Sequence, residues 1–418
     1  MTRVLVTDAG RGSGMAVVRA LASRGIEVIA ADASRLSPAF ASRHVAKRVV
    51  YPHPASHPDE AVESIVAAAR EHAVDLVIPV GEEFVILLGA ARDRFDDRVR
   101  LALPDAAAYG KTHDKLSTVE LAGRLGIPTP RSRLVTSVEE AVEASEAFSW
   151  PIVLKPQSSR SRRAGEAVES FGVAYAVDVG SLERRMRAFE GRSAVILQEY
   201  RHGEGHGVGL LVDRGRPLLA FQHRRLREVP FTGGPSSYRE SVPLDPVLFD
   251  FSVRILGELG WTGPAMVEFK VRGDEVSLME INGRLWGSLP LAVKSGVDFP
   301  GGIVDLFLSA PNEAPTAPPT VYEAGVRSRD LSLEVAWIAS VLVRKAPYTF
   351  LDVPDRRQAL GVAARLLDPR EGFDIPTLRD PLPGFVEILN LALSAPRRLV
   401  RSRTRRAPQQ RVDTGAII

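Results

Sequence analysis

The first hundred residues alternate between short apolar runs and longer segments in which apolar residues recur every three or four positions. The short runs, which predict strands, are Val4–Thr7, Glu27–Ala31, Asp75–Pro79 and Val99–Leu103, and the predicted helices between them are Met15–Arg24 and Asp59–His72. This alternation is typical of a parallel sheet with helices on both faces. We therefore expect a Rossmann-like α/β domain over residues 1–110.

A second pattern, with apolar runs on either side of a polar turn, begins near residue 265. The runs Val267–Val271 and Val276–Ile281 flank the turn-like segment Arg272–Glu275. Two such runs joined by a short polar segment predict an antiparallel hairpin.

The polar side chains of this hairpin are mostly acids and amides. Because side chains alternate between the faces of a strand, Glu268 shares a face with Lys270, and Glu280 shares one with Asn282. Arg284 follows two residues later, where it can meet an anion. Oxygen ligands of this kind suit Mg²⁺. A solvated polar face is the alternative, but the full set favours a metal site at the edge of a core.

Between these two regions the sequence predicts helices at Leu116–Leu125 and Val138–Ala147 and a strand at Ile152–Pro156. The following loop, Gln157–Gly165, is rich in serine and arginine. Its backbone amides, hydroxyls and guanidinium groups could fold over phosphates, or it could be a disordered surface loop.

A glycine-rich turn follows the first predicted strand. Gly10, Gly12 and Gly14, with an acid at Asp32, are similar to a dinucleotide fingerprint, although the spacing is not G-x-G-x-x-G. Three interpretations stay open: a tight strand-to-helix turn, a turn that helps to bind an acceptor substrate, and a nicotinamide site in a dehydrogenase.

Composition excludes several classes of protein. The chain has 418 residues, enough for two or three domains, and no cysteine, which excludes disulfides, thiol nucleophiles and zinc–thiolate sites. A net charge of +3, with the basic excess in the tail, argues against nucleic-acid binding. We expect no signal peptide and no membrane span, and a cytoplasmic protein. The histidines at 202, 206 and 223 fit no zinc spacing.

Several of these features occur in the order found in one superfamily. The ordered set is Lys115, Lys155-Pro156, Gln198-Glu199-Tyr200, Gln222–Arg225 and Glu268…Glu280-x-Asn282-x-Arg284. It resembles the ATP-grasp proteins, which include biotin carboxylase, carbamoyl-phosphate synthetase and D-alanine–D-alanine ligase. The resemblance covers about residues 1–310. It implies a two-lobed ATP-grasp domain at 111–310, with a lid at about 150–200, after the Rossmann-like domain.

The resemblance also implies a role for each matching residue. ATP would be bound at its phosphates by Lys115 and Lys155, at adenine by the hinge residues Gln198, Glu199, Tyr200 and Arg201, and at the ribose by Glu204 or His206. The metal ion, Mg²⁺ or Mn²⁺, would be held by Glu268, Glu280 and Asn282. Arg284, with Arg224 or Arg225, would stabilise the transferred phosphoryl group or the acceptor carboxylate.

The activity that the resemblance implies is an ATP- and Mg²⁺-dependent ligase. A small-molecule carboxylate would attack the γ-phosphate, and an amine or similar nucleophile would capture the acyl phosphate. Phosphoryl transfer depends on positioning and on cations around the phosphoryl oxygens, so no Ser-His-Asp arrangement is needed.

One alternative is a carboxylase or carbamate-forming enzyme, suggested by Gln222–Arg225. Another is a non-catalytic ATP-binding regulator, suggested by the arginine-rich loop and the basic tail. Specificity is expected in the N-terminal domain, in Phe231–Ser241 and near Trp286.

The C-terminal quarter follows a proline-rich connector at 311–320. Helices are predicted at Leu331–Arg344, Asp355–Leu367 and Pro383–Arg398, within a helical extension at 321–400 that precedes a basic, disordered tail at 401–418. An apolar helix followed by arginines can lie on an anionic membrane surface. Packing of this helix on the body of the protein is the favoured alternative.

Overall fold

The computed structural model describes residues 1–157, 160–161, 169–170, 173–189, 193–229, 233–309, 321–343, 350, 354–366, 368 and 371–404. The predicted proline-rich connector, most of the loop Gln157–Gly165 and the tail beyond residue 404 lie outside this part of the chain. Within the described ranges, no helix is both long and apolar enough to span a bilayer.

The N-terminal domain is the predicted parallel sheet with helices on both faces. Its elements are β1 (Arg3–Val6), α1 (Gly12–Ser23), β2 (Glu27–Asp32), β3 (Lys47–Val50), α2 (Pro58–Glu71), β4 (Leu76–Ile78), α3 (Glu82–Ala90) and β5 (Arg100–Leu101), with 3-10 helices at Pro38–Ala41 and Arg92–Arg94. The strand order is β3-β2-β1-β4-β5, and all neighbours are parallel. Both faces are buried, which explains why these strands read as continuous apolar runs.

Two helices and a four-stranded antiparallel sheet follow. The elements are α4 (Ala106–His113), α5 (Lys115–Arg124), β6 (Ser132–Val135), α6 (Val138–Ser145), β7 (Ile152–Pro156), β8 (Arg160–Ser161), β9 (Glu169–Ser170), β10 (Ala174–Ala176), α7 (Val179–Met186) and β11 (Val195–Glu199). The sheet order is β10-β7-β11-β6, and β8 pairs separately with β9. Apolar side chains of α6 and α7 cover this sheet.

A six-stranded antiparallel sheet forms the centre of the remaining chain. Its region contains β12 (Glu204–Asp213), β13 (Arg216–Glu228), β14 (Ser236–Ser241), α8 (Pro246–Glu258), β15 (Gly263–Arg272), β16 (Glu275–Asn282), α9 (Leu289–Lys294), α10 (Phe299–Leu308) and β17 (Arg327–Arg329). The strand order is β16-β15-β12-β13-β14-β17. One core joins this region to the N-terminal domain, because Trp286 and Phe299 belong to the same buried cluster as Met15 and Val17 of α1.

The C-terminal extension is not wholly helical, because β17 lies within the range predicted to be helices. It pairs with β14, so the extension begins as a strand of the central sheet. This three-residue polar strand has no alternating apolar pattern that a sequence could reveal. Three helices follow: α11 (Leu331–Val343), α12 (Arg356–Arg365) and α13 (Leu382–Thr404).

The extension also reaches the N-terminal domain. Asn390 of α13 donates a hydrogen bond to the backbone oxygen of Leu36 at 2.9 Å. Asp380 accepts hydrogen bonds from Ser42 Oγ at 2.7 Å and from Arg19 Nε at 3.2 Å. The extension therefore bridges the central sheet and the N-terminal domain.

Candidate functional site

The predicted hairpin is present as β15 and β16, and its register places the two acids side by side. Glu268 is directly opposite Glu280, and Met266 is opposite Asn282. Asn282 Nδ2 donates to Glu268 Oε1 at 2.9 Å and to Glu280 Oε1 at 3.3 Å. The two carboxylates and the carboxamide thus converge on one point, as the alternation of side chains predicts.

A buried arginine stands behind this acidic pair. Arg225 Nη2 lies 2.5 Å from Glu268 Oε1, and its Nη1 lies 3.1 Å from Glu228 Oε1. Burial raises the pKa of Glu268, Arg225 opposes that shift, and the neighbouring charge of Glu280 adds to it. Burial also disfavours the charge on Arg225, but Glu268 and Glu228 outweigh it and raise the pKa of Arg225. Arg225 therefore helps to keep Glu268 ionised.

A stripe of three glycines on β12 makes room for the side chains of this face. A Cβ at Gly205 would lie 2.8 Å from Arg225 Cδ, one at Gly207 would lie 2.4 Å from His223 Cε1, and one at Gly209 would lie 2.3 Å from Trp286 Cζ2. Alternate glycines in a strand indicate close packing over the backbone. Sequence reasoning missed this signal.

Two lysines approach the acidic pair from other elements. Lys115 is the first residue of α5, and Lys155 lies in β7 of the four-stranded sheet. Burial lowers the pKa of Lys155, the carboxylates of Glu280 and Glu268 oppose this shift, and the charge of Lys115 adds to it. Lys155 therefore lies within electrostatic range of Glu280, Glu268 and Lys115.

The predicted adenine hinge is the end of β11 and the residues that follow it. Gln198 is buried, and its Nε2 donates to Ser132 Oγ at 3.0 Å. Glu199 Oε2 lies 3.1 Å from Arg201 Nη2, and the ring of Tyr200 packs edge-on against His202. The side chains of Glu199, Tyr200 and Arg201 are partly exposed, whereas that of Gln198 is buried, and the adenine role of these residues stays a prediction.

Glu204 and His206 do not join the acidic pair. They alternate with the glycines along β12, and His206 is opposite Phe269, whereas Glu268 is opposite Gly207. His206 Nε2 lies 3.7 Å from Glu204 Oε2, and burial lowers the pKa of His206. The ribose role of these residues stays a prediction.

The three histidines do not converge either. His223 is buried on the glycine face, with its Nε2 3.1 Å from Ser288 Oγ, whereas His206 is on the other face of the sheet. Among the residues that the structure describes, no three His, Asp or Glu side chains form a group that could hold a metal ion. The carboxylate oxygens of Glu268 and Glu280 lie together, and the amide nitrogen of Asn282 donates a hydrogen bond to each carboxylate.

Arg284 lies beyond β16 at the wall of a large cavity. Its Nη1 donates to the backbone oxygen of Leu285 at 3.1 Å. The cavity has a volume of about 870 Å³, and the glycine turn Gly10–Ser13 lines it opposite the C-terminal helices. Arg284 therefore stands where the N-terminal domain, the central sheet and the C-terminal extension meet.

The glycine turn is stabilised by Asp32, the acid that would bind the ribose in a dinucleotide fingerprint. Asp32 Oδ2 accepts hydrogen bonds from the backbone N–H of Gly10 and from Ser37 Oγ, both at 2.9 Å. A Cβ at Gly10 would lie 2.3 Å from that Ser37 oxygen. The Asp32 carboxylate has a structural role here, which weakens the nicotinamide interpretation.

Sequence reasoning missed Arg239 and the acids of the C-terminal extension that line the cavity. Arg239 is buried in β14, donates to the backbone oxygen of Gly287 at 3.1 Å and contacts Asp374. Asp330 and Glu387 line the cavity from α11 and α13. Only tertiary packing brings these residues to the site. Trp286, near which specificity was expected, is fully buried beneath the sheet.

The fold and part of the sequence are similar to those of ATP-grasp proteins. Residues 192–329 match a family model described as "ATP-grasp in the biosynthetic pathway with Ter operon". A solved biotin carboxylase from Campylobacter jejuni, in complex with β,γ-ATP, has the same fold with a TM-score of 0.60 and 16% identity, over 75% of this chain and 72% of that one. The matched residues are therefore similar to this ATP-grasp family, and the likeness to the biotin carboxylase is one of fold.

Curated relatives of known activity match parts of the chain. It is 27% identical over 274 residues to the formate-dependent phosphoribosylglycinamide formyltransferase of Ignicoccus hospitalis, covering 62% of this chain and 64% of that one. It is 30% identical over 201 residues to the phosphoribosylamine–glycine ligase of Phenylobacterium zucineum, covering 45% of each. The chain thus spans about two thirds or less of the length of these relatives.

Proposed function

We propose that this protein is an ATP-dependent ligase that activates a carboxylate as an acyl phosphate, which an amine or a similar nucleophile then attacks. The observation that carries the proposal is the convergence of Glu268 and Glu280 on Asn282, within electrostatic range of Lys155. The match to an ATP-grasp family model and the similarity to a phosphoribosylamine–glycine ligase support it.

The acidic pair fits a hard divalent cation. Two carboxylates and an amide oxygen are ligands that Mg²⁺ or Mn²⁺ accepts. Glu268 and Glu280 would hold the ion, and Asn282, whose amide nitrogen donates to both acids here, would turn its oxygen towards it. Such an ion neutralises negative charge on the β- and γ-phosphates of ATP. Arg225, buried against Glu268, opposes the rise that burial causes in the pKa of that carboxyl.

The lysines and Arg284 supply the remaining positive charge. Lys115 and Lys155 would bind phosphate oxygens, and their ammonium groups would stabilise charge that spreads over the transferred phosphoryl group. Arg284, at the wall of the cavity, would hold the acceptor carboxylate. The glycine turn faces the same cavity, which supports the interpretation that it helps to bind the acceptor rather than a nicotinamide.

The test is ADP release with ATP and Mg²⁺ against a mixed panel of carboxylates and amines. ADP that appears only when both a carboxylate and an amine are present would support the ligase. Bicarbonate-dependent ADP release without an amine would favour the carboxylase alternative. Tight ATP binding with no ADP from any mixture would contradict the ligase and favour a regulator.

We also propose a peripheral membrane contact through α13, in a protein that works in the cytoplasm. The first half of this helix packs on the N-terminal domain, yet several apolar side chains on its outer face are about half or more exposed: Leu382, Phe385, Ile388, Leu389 and Leu393. Arginines follow in the sequence from Arg397 onwards.

The test is cosedimentation with phosphatidylserine vesicles. Sedimentation that is lost in the double variant Phe385→Ser, Ile388→Ser would support the contact, and equal sedimentation with neutral vesicles would contradict an electrostatic component.

A further inference from the structure

One carboxylate of the C-terminal extension faces the cavity without a full set of partners. Glu387 of α13 is only 6% exposed, and its Oε1 accepts a hydrogen bond from Ser332 Oγ at 3.2 Å. Its Oε2 is buried, and within the described part of the chain nothing donates to it. Buried carboxylate oxygens are nearly always paired, so an unpaired one that lines a cavity indicates a missing donor.

A second acid lines the same cavity from a different helix. Asp330 precedes α11, and its Oδ1 accepts a hydrogen bond from the backbone N–H of Leu333 at 2.9 Å. Burial raises the pKa of Asp330, the negative charge of Asp374 adds to the shift, and Arg239 opposes it. Arg239 is in contact with Asp374, which Lys294 also faces, and its charge acts on both acids.

The electrostatic state of Glu387 follows from its surroundings. Burial raises its pKa to about 8, the charges of Asp330 and Asp374 add to the shift, and the hydrogen bond from Ser332 opposes it. At neutral pH this shift favours the protonated form of Glu387. A cation bound beside it would favour the ionised form and release the proton.

The other charged groups of the cavity wall include two arginines. Arg284 lies at the end of the acidic hairpin, and Arg11 lies at the start of α1. The cavity therefore offers guanidinium groups for a carboxylate and separate carboxylates for a cation. Its volume of about 870 Å³ is within the range of sites that enclose small organic ligands.

We propose that the acceptor is an amino acid or a similar zwitterion, whose ammonium group binds between Glu387 and Asp330 while its carboxylate lies towards Arg284. This proposal rests on the proposed ligase function and specifies its substrate class. The C-terminal extension thereby supplies residues that determine specificity.

The direct test is calorimetric binding to the full chain of probes that differ by one amino group. Glycine and β-alanine are paired with acetate and propionate, and ornithine and lysine with norvaline and norleucine. In at least one pair, the probe with the additional amino group should bind at least about tenfold more tightly at pH 8, as expected for a charge-assisted hydrogen bond in a buried site. Glu387→Gln should reduce this preference to about twofold or less. Glu323→Gln, at an exposed glutamate away from the cavity, should leave it unchanged.

The pH dependence provides a second readout on the unmodified protein, in case Glu387→Gln folds poorly. Because the raised pKa keeps Glu387 protonated below about pH 8, affinity for the amine-bearing probe should rise between pH 6 and pH 8. His113 and its partner Glu82 also line the cavity and can act on the carboxylate of both probes, so the quantity to compare is the ratio of the two affinities, which should rise over the same pH range.

The outcomes separate this proposal from the ligase proposal. Equal affinity within every pair, or no binding of any amine-bearing probe, would overturn the zwitterion assignment even if ADP is released with simple carboxylates. Amine-preferring, pH-dependent binding without ADP release would support the assignment and count against the ligase.

Discussion

Replacing Glu280 with glutamine is expected to lower ATP-dependent ADP formation at least about 100-fold, as for loss of a group that stabilises the transition state electrostatically. The substitution keeps the size of the side chain and leaves an oxygen that can accept the hydrogen bond from Asn282. It removes one of the two negative charges that would hold the cation. The fold should therefore persist while the reaction is lost.

The matched control is Glu275→Gln, at an exposed position of the same strand beside the turn. Steady-state ADP release and thermal unfolding of both variants would be measured across a series of Mg²⁺ concentrations. Glu275→Gln should match the unmodified protein in both measurements. Undiminished turnover in Glu280→Gln would rule out the metal assignment, and partial recovery at high Mg²⁺ concentration would strengthen it.

The parts of the site that the sequence predicts are those with a local pattern. The hairpin follows from the alternation of apolar and polar residues in two adjacent runs, and alternation alone puts Glu268 and Glu280 on one face once the strands pair. The parallel sheet is similarly visible, because its doubly buried strands are continuous apolar runs.

The parts that the sequence does not predict depend on packing between distant segments. Glu387 lies 103 residues after Arg284 in the chain, yet both line one cavity. No local spacing encodes that proximity. The two faces of β12 are predicted only in part. The alternation of side chains along the strand puts His206 and Gly207 on opposite faces, but only the pairing with β15 shows that Glu268 lies on the glycine face.

Glu334 illustrates how the extension is anchored to the sheet. It is fully buried in α11; its Oε1 accepts a hydrogen bond from Arg227 Nη1 of β13 at 2.7 Å, and its Oε2 accepts one from Arg329 Nη1 of β17 at 2.6 Å. Arg329 also donates to Glu371 Oε1 at 2.8 Å and stacks on the ring of Tyr238, with its Cζ 3.8 Å from the centroid. One carboxylate thus joins the neighbouring elements β17 and α11 to β13, whose Arg227 lies 107 residues before Glu334.

Glu334→Gln should therefore lower the free energy of unfolding by about 3–5 kcal/mol, the cost of breaking a buried ion pair by removing one partner. The glutamine keeps the shape of the side chain but removes the negative charge that Arg227 and Arg329 share. Its amide N–H₂ would also face one of these two guanidinium groups. Denaturant unfolding, compared with the exposed control Glu323→Gln, measures the effect. A loss below about 0.5 kcal/mol, the usual range for surface substitutions, would show that packing rather than these ion pairs holds the extension.

The same variant should also connect stability to the proposed substrate site. Asp330 and Ser332 lie at the start of α11, one turn from Glu334, so loosening this helix should disturb the cavity wall. Glu268 and Glu280 are held by a hairpin at the other edge of the sheet and should keep their geometry. We therefore expect ATP affinity to change by less than about twofold while acceptor binding weakens about tenfold or more. Equal losses of both would show that the sheet itself depends on the extension.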